Sequence, residues 1–190
     1  MADYRIGNYD IKEVQAVMAK MMQEIHQVCE KNNIRYILDG GTMLGAVRHK
    51  GFIPWDDDLD IAMPRDDYEK FIAIANMELG SQYKFECMEN TLEYPYNFGK
   101  VRAIDTLYAE EFTASLKINH GVYIDVFPMD YVNPDDKKRL SFIQKNIAHF
   151  TMLRYAKLGL ISGIKYKPFM LLSNHFFTKW LRKLMMYYFQ

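Results

Sequence analysis

A chain of 190 residues, 49% apolar and 15% aromatic, is long enough for one domain with a real core and too apolar for intrinsic disorder. Its 24 basic and 24 acidic residues cancel unevenly: residues 1–134 carry 22 acids and 13 bases, residues 135–190 two acids and 11 bases. Two cysteines, Cys29 and Cys87, at no metal-ligand spacing, exclude a disulfide framework and a zinc site, and a reducing compartment fits. The N-terminus, "MADYRIGNYDIKEV", has acids and no apolar stretch, so no secretory signal is expected and the expected location is the cytoplasm.

Ile11, Val14, Met18, Met21, Ile25 and Val28 recur every three or four residues. That spacing predicts an amphipathic helix over residues 11–31, with Cys29 a buried thiol on its stripe and "KNN" its stop. "IRYILD" (Ile34–Asp39) reads as a short strand. Gly40-Gly41 makes a turn, and Thr42 is placed to cap a short helix up to Arg48. "HKGFIPW" is a loop, and "LDIAM" is a strand that Pro64 ends. Asp66 or Asp67 opens a helix to about Met77. Strands follow at Tyr83–Glu89, near Phe98–Ala103 and at Val122–Val126. Helices are predicted over Lys137–Leu158 and Lys167–Tyr188.

This order predicts an α+β fold, a mixed sheet flanked by helices over residues 1–134, followed by a helical C-terminal section over residues 135–190. His175, Lys179, Arg182 and Lys183 interrupt the last helix, which therefore reads as a core or groove helix rather than a membrane span. The basic excess of this section has two readings. One is a solvated helical face; the other is attraction to an anionic partner, a membrane surface or a phosphate-rich substrate.

Asp56, Asp57, Asp58 and Asp60 stand almost side by side, and like charges this close repel unless a cation sits among them. On a strand, residues two apart share a face, so Asp58 and Asp60 can hold one cation while Leu59 and Ile61 face the core. Oxygen ligands of this kind suit Mg²⁺ or Mn²⁺. Asp125 offers a third carboxylate between Ile124 and Val126, where an acid must be paired or metal-bound. An acidic loop capping the next helix would explain Asp56 or Asp57, but not Asp60 between two apolar residues. The turn Gly40-Gly41-Thr42 lets backbone amides approach a phosphate. Together these parts describe a nucleotidyltransferase-like fold built for in-line displacement at phosphorus.

The stretch "GGTMLGAVRHKGFIPWDDDLDIAMPRDDYEKF" resembles the LicD family of phosphocholine transferases, relatives of fukutin and fukutin-related protein within the nucleotidyltransferase-fold superfamily. The resemblance continues through "FGKVRAIDTLYAEE" and "GVYIDVFPMD", from Tyr36 to Asp130. It implies transfer of phosphocholine, or of a related phospho-alditol, from a CDP-linked donor such as CDP-choline to a hydroxyl of a surface glycan. The acceptors it implies are teichoic acid or lipopolysaccharide precursors, and CMP leaves. Asp58, Asp60 and Asp125 match the catalytic carboxylates, with Asp56 joining them around Mg²⁺ or Mn²⁺. Gly40, Gly41 and Thr42 match the phosphate-proximal turn, and Arg48, Lys100 and Arg102 fall in segments that would contact phosphates.

A choline headgroup calls for aromatic faces, worth about 0.5–2 kcal/mol per contact. Trp55 and Tyr96 are the candidates, with core packing as the alternative. A donor carrying ribitol or glycerol phosphate, or a non-catalytic nucleotide-binding role, are the alternatives for function. The absence of a basic stripe with interleaved aromatics near the acids argues against nucleic acid as partner. The basic C-terminal section would bring peripheral contact with the inner face of a membrane. Family members carry a "YGDY"-like segment further on, so the resemblance implies a shorter C-terminal section here, ending at "MMYYFQ".

Overall fold

The apolar stripe noted first becomes helix α1 (Ile11–Lys31), with Asp10 accepting the Lys12 N–H as its N-cap and Asn32 as its C-cap. Val14, Met18, Met21, Ile25, Val28 and Cys29 are its buried face, and burial pushes the Cys29 thiol up to about 12. The computed structural model describes residues 9–131, 133 and 135–161. The predicted helix Lys167–Tyr188 lies outside these residues. Among the described residues no helix is long and apolar enough to cross a membrane.

After α1 the chain runs β1 (Ile37–Leu38), α2 (Gly40–His49), β2 (Asp60–Pro64), α3 (Arg65–Glu78), β3 (Tyr83–Glu86), β4 (Gly99–Ala103), a single 3₁₀ turn (Glu111–Thr113), β5 (Tyr123–Met129) and α4 (Lys137–Lys157). The architecture is the expected α+β mixed sheet. Several strands are displaced or shorter than predicted. β1 keeps only two residues, because it pairs solely through Ile37↔Ala62 and Leu38↔Ile61 before Asp39 turns into the next helix. Thr42 is not the cap of α2: Asp39 is, its carboxylate accepting the Gly40 N–H at 2.9 Å, and Thr42 lies inside the first turn. Helix α3 starts at Arg65, directly after Pro64, with Asp66 and Asp67 in its first turn, where carboxylates favour the helix dipole.

The five strands lie in the order β1-β2-β5-β4-β3. Only β2 and β5 run parallel; the other pairs are antiparallel. Asp60 pairs in register with Asp125, Asp125 with Lys100, and Lys100 with Glu86. Residues directly opposite share a sheet face, so four charged side chains form one row across four strands. The intervening residues Ile61, Val126, Val101 and Phe85 are buried in the apolar core with Met18, Met21 and Ile25 of α1 and Tyr68 and Phe71 of α3. Strand β3 is an edge strand, and Asn76 of α3 closes part of it by bonding both the N–H and the C=O of Phe85, at 2.7 and 2.9 Å.

The chain divides into two compact units. One comprises the residues up to Cys87 together with Phe98–Asp130; the other comprises Met88–Asn97 and the chain from Tyr131 on. Within the second unit, α4 is capped by Asp136, whose carboxylate accepts the Arg139 N–H. Arg154 of α4 is buried, and its guanidinium donates to the carbonyls of Tyr94 (2.6 Å) and Leu92 (3.0 Å). Asn97 donates to the Thr151 hydroxyl at 2.6 Å.

Phe71 is fully buried, with its ring edge-on to Phe85 at 5.2 Å. Phe71→Ala is expected to lower stability by about 3–5 kcal/mol in urea unfolding, through lost burial and the cavity left behind. A loss below about 1 kcal/mol would show that α3 does not pack as described.

Candidate active site

The site is organised around the backbone of Asp60. Its N–H donates to the Thr42 hydroxyl at 2.8 Å, and its C=O accepts the Asp39 N–H at 3.0 Å. These two bonds fix the first residue of β2 to the start of α2. One strand over, the Asp125 N–H donates to the Leu59 carbonyl at 2.9 Å. Asp60 and Asp125 therefore stand side by side on rigid strands, as the lone acids of the sequence suggested.

The acidic loop is held from behind. Gln15 of α1 donates through Nε2 to the carbonyls of Ile53 (3.1 Å) and Asp56 (2.8 Å). Asp57 accepts the Tyr108 hydroxyl at 2.9 Å and the Tyr9 hydroxyl at 3.5 Å. Asp57 thus anchors the loop, while the charge of Asp58 acts on both Asp56 and Asp60. Gln15 and Tyr108 carry no sequence signal, because their bonds go to backbone and to a residue far away in the chain.

The two glycines meet these carboxylates. Gly40 has φ of +51°, a left-handed conformation that suits glycine, and a Cβ there would lie 3.3 Å from Asp60 Oδ2. A Cβ at Gly41 would lie 2.8 Å from Asp56 Oδ2, too close to be borne without movement. Asp56 and Asp60 thus converge on one turn. Burial and the charges of Asp58, Asp125 and Asp39 push Asp60 up to about 7, against some lowering by Lys100. Burial, Asp58 and Asp57 raise Asp56 as well. Asp39, read from sequence only as a strand end, is a fifth acid at this turn; an aspartate directly before a helix-opening glycine pair was its signal.

Among the described residues, no three His, Cys, Asp or Glu side chains are drawn together into a finished metal cage. What the chain does supply is a set of oxygen donors, on a strand, a loop and a neighbouring strand, in which Asp58 and Asp125 raise Asp60 and Asp58 raises Asp56. That donor set fits a hard divalent cation.

The expected phosphate contacts need correction. Lys100 and Arg102 are each about 1% exposed, because β4 lies inside the sheet and is covered on both faces. Lys100 Nζ lies 2.7 Å from Asp125 Oδ1, 3.6 Å from Glu110 Oε2 and 3.4 Å over the Tyr123 ring centroid. Arg102 lies 3.6 Å from Glu86 and 3.7 Å from Glu110, and donates to the Gly121 carbonyl at 3.3 Å. Burial pushes Lys100 down and Asp125 up, and each is opposed by the charge of the other. Arg48 is exposed in the last turn of α2, at the end away from Gly40. Trp55 is 68% exposed with the His49 ring edge-on to it at 6.4 Å. Tyr96 belongs to the second unit, edge-on to the buried Tyr94 at 5.7 Å.

The sequence profile described as LicD/FKTN/FKRP, nucleotidyltransferase domain, matches residues 33–157, from just before β1 to the end of α4. The chain belongs to this family. The LicD resemblance read from the motifs therefore holds over most of the described structure. The lipopolysaccharide cholinephosphotransferase LicD of Haemophilus influenzae is 36% identical over 129 residues, which cover 67% of this chain and 47% of that protein. An uncharacterised protein of Rickettsia typhi is 44% identical over 68 residues, 35% of this chain and 22% of its own length. The mouse ribitol 5-phosphate transferase FKRP is 41% identical over 54 residues, 28% of this chain and 11% of its own length. The matched part of the chain thus spans less than half the length of each of these relatives.

The raised Asp60 gives a test of the LicD-type acid cluster without turnover. Its carboxyl has an ordinary value of 3.8 and a folded value of about 7, so over that interval the folded state holds a proton that the unfolded state has lost. Stability of the EDTA-treated protein is therefore expected to fall as pH rises from about 4 to about 7 and then to level off. Asp60→Asn should remove that part of the slope and melt higher than the parent at pH above about 7. Parallel melting-temperature profiles for the two proteins would show that Asp60 is not under this repulsion.

Proposed function

We propose that this chain carries the catalytic domain of a transferase that moves phosphocholine from CDP-choline to a hydroxyl of a cell-surface glycan, lipopolysaccharide in the first instance, releasing CMP. The observation that carries this reading is the convergence of the Asp56 and Asp60 carboxylates on the Gly40-Gly41 turn, beside Asp125. The likeness to the Haemophilus influenzae cholinephosphotransferase supports the choice of group transferred.

The chemistry follows from the charges. A nucleoside diphosphate brings anionic oxygens to a turn already ringed by Asp39, Asp56, Asp58 and Asp60, so it needs a cation to enter. Asp56, Asp58, Asp60 and Asp125 would hold Mg²⁺ or Mn²⁺, which when bound offsets the charge developing on the phosphoryl and leaving oxygens. The amides of Gly41 and Thr42 belong to the first turn of α2, where N–H groups have no intrahelical acceptor and orient a phosphate. In the step itself the acceptor hydroxyl oxygen bonds to the phosphorus that carries choline, the bond from that phosphorus to CMP breaks with its electron pair leaving on CMP, and the hydroxyl proton passes to a site carboxylate, for which Asp125 is the candidate. Asp125, held by Lys100, completes the carboxylate set around this centre. Trp55, exposed beside the acidic loop, offers its face to the trimethylammonium group.

A second reading has its own support. The matched stretch of the ribitol 5-phosphate transferase FKRP favours a phospho-alditol as the group moved. It leaves the acids and the turn in the same roles and removes the need for an aromatic face.

Calorimetric titration of CDP-choline into the purified protein, with Mg²⁺ and then with EDTA, separates these readings when CDP-ribitol and CMP are run beside it. Binding that needs the metal and prefers CDP-choline is the expected outcome; preference for CDP-ribitol would move the assignment to the second reading. Asp58→Ala should lower transfer by about 100-fold or more, and full activity in that variant would overturn the scheme. Trp55→Ala should raise the KM for CDP-choline by about 2- to 30-fold and leave CMP affinity unchanged. An unchanged KM would remove Trp55 from choline recognition.

A further inference from the structure

Lys100 is a buried cation that the family likeness had assigned to phosphate, and its surroundings give it different work. Four charges cross the sheet in register, in the order Asp60, Asp125, Lys100 and Glu86. Lys100 is one strand away from Asp125 and two from Asp60, and its ammonium touches Asp125 at 2.7 Å. A second acid, Glu110, waits 3.6 Å from the same nitrogen, and the Tyr123 ring lies below it at 3.4 Å. At about 1% exposure, Lys100 has no solvent to turn to. Among its described neighbours are the two carboxylates, the Tyr123 ring and, at 5.5 Å, the Phe98 ring.

We infer that Lys100 is a resident counter-cation that holds Asp125 when no metal does, and yields it to the metal by shifting toward Glu110. The inference rests on the metal reading given above. A fixed positive charge against one ligand carboxylate has two effects. It offsets part of the repulsion between Asp60 and Asp125 across neighbouring strands when the site is empty, and it weakens the site for a divalent cation through like-charge repulsion. Glu110 makes the exchange local, because the ammonium moves by the difference between two short contacts and stays buried. Arg102, 3.7 Å from Glu110 and 3.6 Å from Glu86, shares the same acids and limits how far Lys100 can go. The device makes metal binding loose in the protein alone and stronger once a diphosphate adds its own oxygens.

Titration with Mn²⁺, followed by electron paramagnetic resonance of the free ion, reads this without turnover. Lys100→Met is expected to bind Mn²⁺ about tenfold tighter than the parent protein, to melt lower in EDTA, and to recover on adding Mn²⁺. Glu110→Gln leaves Lys100 to Asp125 alone and is expected to bind Mn²⁺ about threefold or more weakly. Absence of Mn²⁺ binding by the parent protein would overturn the metal reading and this inference together. Binding by the parent protein, with Lys100→Met equal or weaker, would overturn the inference alone. Should Lys100→Met fail to fold, Glu110→Gln decides: unchanged or tighter Mn²⁺ binding overturns the role of Lys100.

Discussion

The row Asp60, Asp125, Lys100 and Glu86 is the constraint on which the rest of the structure depends. Three acids and one base on the covered strands of a sheet are unfavourable unless each is met by an opposite charge or a donor. The chain meets them in part. Glu86 receives Lys84, Arg102 and the Asn119 N–H; Asp125 receives Lys100. Asp60 is met differently: its backbone is clamped twice, while its side chain faces Gly40 and other acids. The charge is thus satisfied at one end of the row and left unresolved at the other, where the glycine turn lies. The opposite face of the same strands is apolar and carries α1 and α3, which hold the row in place.

Both approaches to that unresolved end are rigid. From one side come α2 and its cap Asp39; from the other comes the acidic loop, fixed to α1 by Gln15 and to Tyr108 by Asp57. A loop carrying several like charges would splay if left to itself. Here Asp57 is bonded to the Tyr108 hydroxyl, while Asp58 and Asp57 both act on Asp56. The positioning groups are ordinary neutral side chains. That holds for Gln15 and Tyr108, which add no charge, whereas Asp39 and Asp57 add to the negative charge that a cationic partner can use.

The sequence exposed the elements with strong periodicity and hid those set by partners. The stripe of α1 was legible because it follows a single period; the expected alternation on one strand holds for Asp60 and Ile61, but not for Asp58, which lies in the loop before β2. The lone acid at Asp125 was legible because it breaks an apolar run. Strand ends were not legible: β1 stops at Leu38 because its partner's pairing stops, which is a property of two segments together. The cap of α2 was assigned to Thr42 because threonine caps helices well, but Asp39 stands at the true boundary and frees Thr42 to bind the Asp60 amide. Lys100 and Arg102 were misplaced for a related reason. Their place in the matching segments implied phosphate contact, and only the position of β4 inside the sheet buries both.

In the proposed reaction, the acid row and the glycine turn address the diphosphate, the part that CDP-linked donors have in common. None of these groups can hydrogen-bond a quaternary ammonium, which neither donates nor accepts a hydrogen bond, and none is placed to distinguish it from a polyol that does both. Choice of donor must therefore come from side chains outside the row. Trp55 has the chemistry for choline and the exposure to use it; a ribitol chain would instead need hydrogen-bonding groups at that place. The same separation explains why one nucleotidyltransferase domain can serve relatives named for phosphocholine and for ribitol phosphate. In this proposal Asp60 and Asp125 are fixed by strand register, whereas the alkyl group would meet loops, and loops can change without disturbing the row.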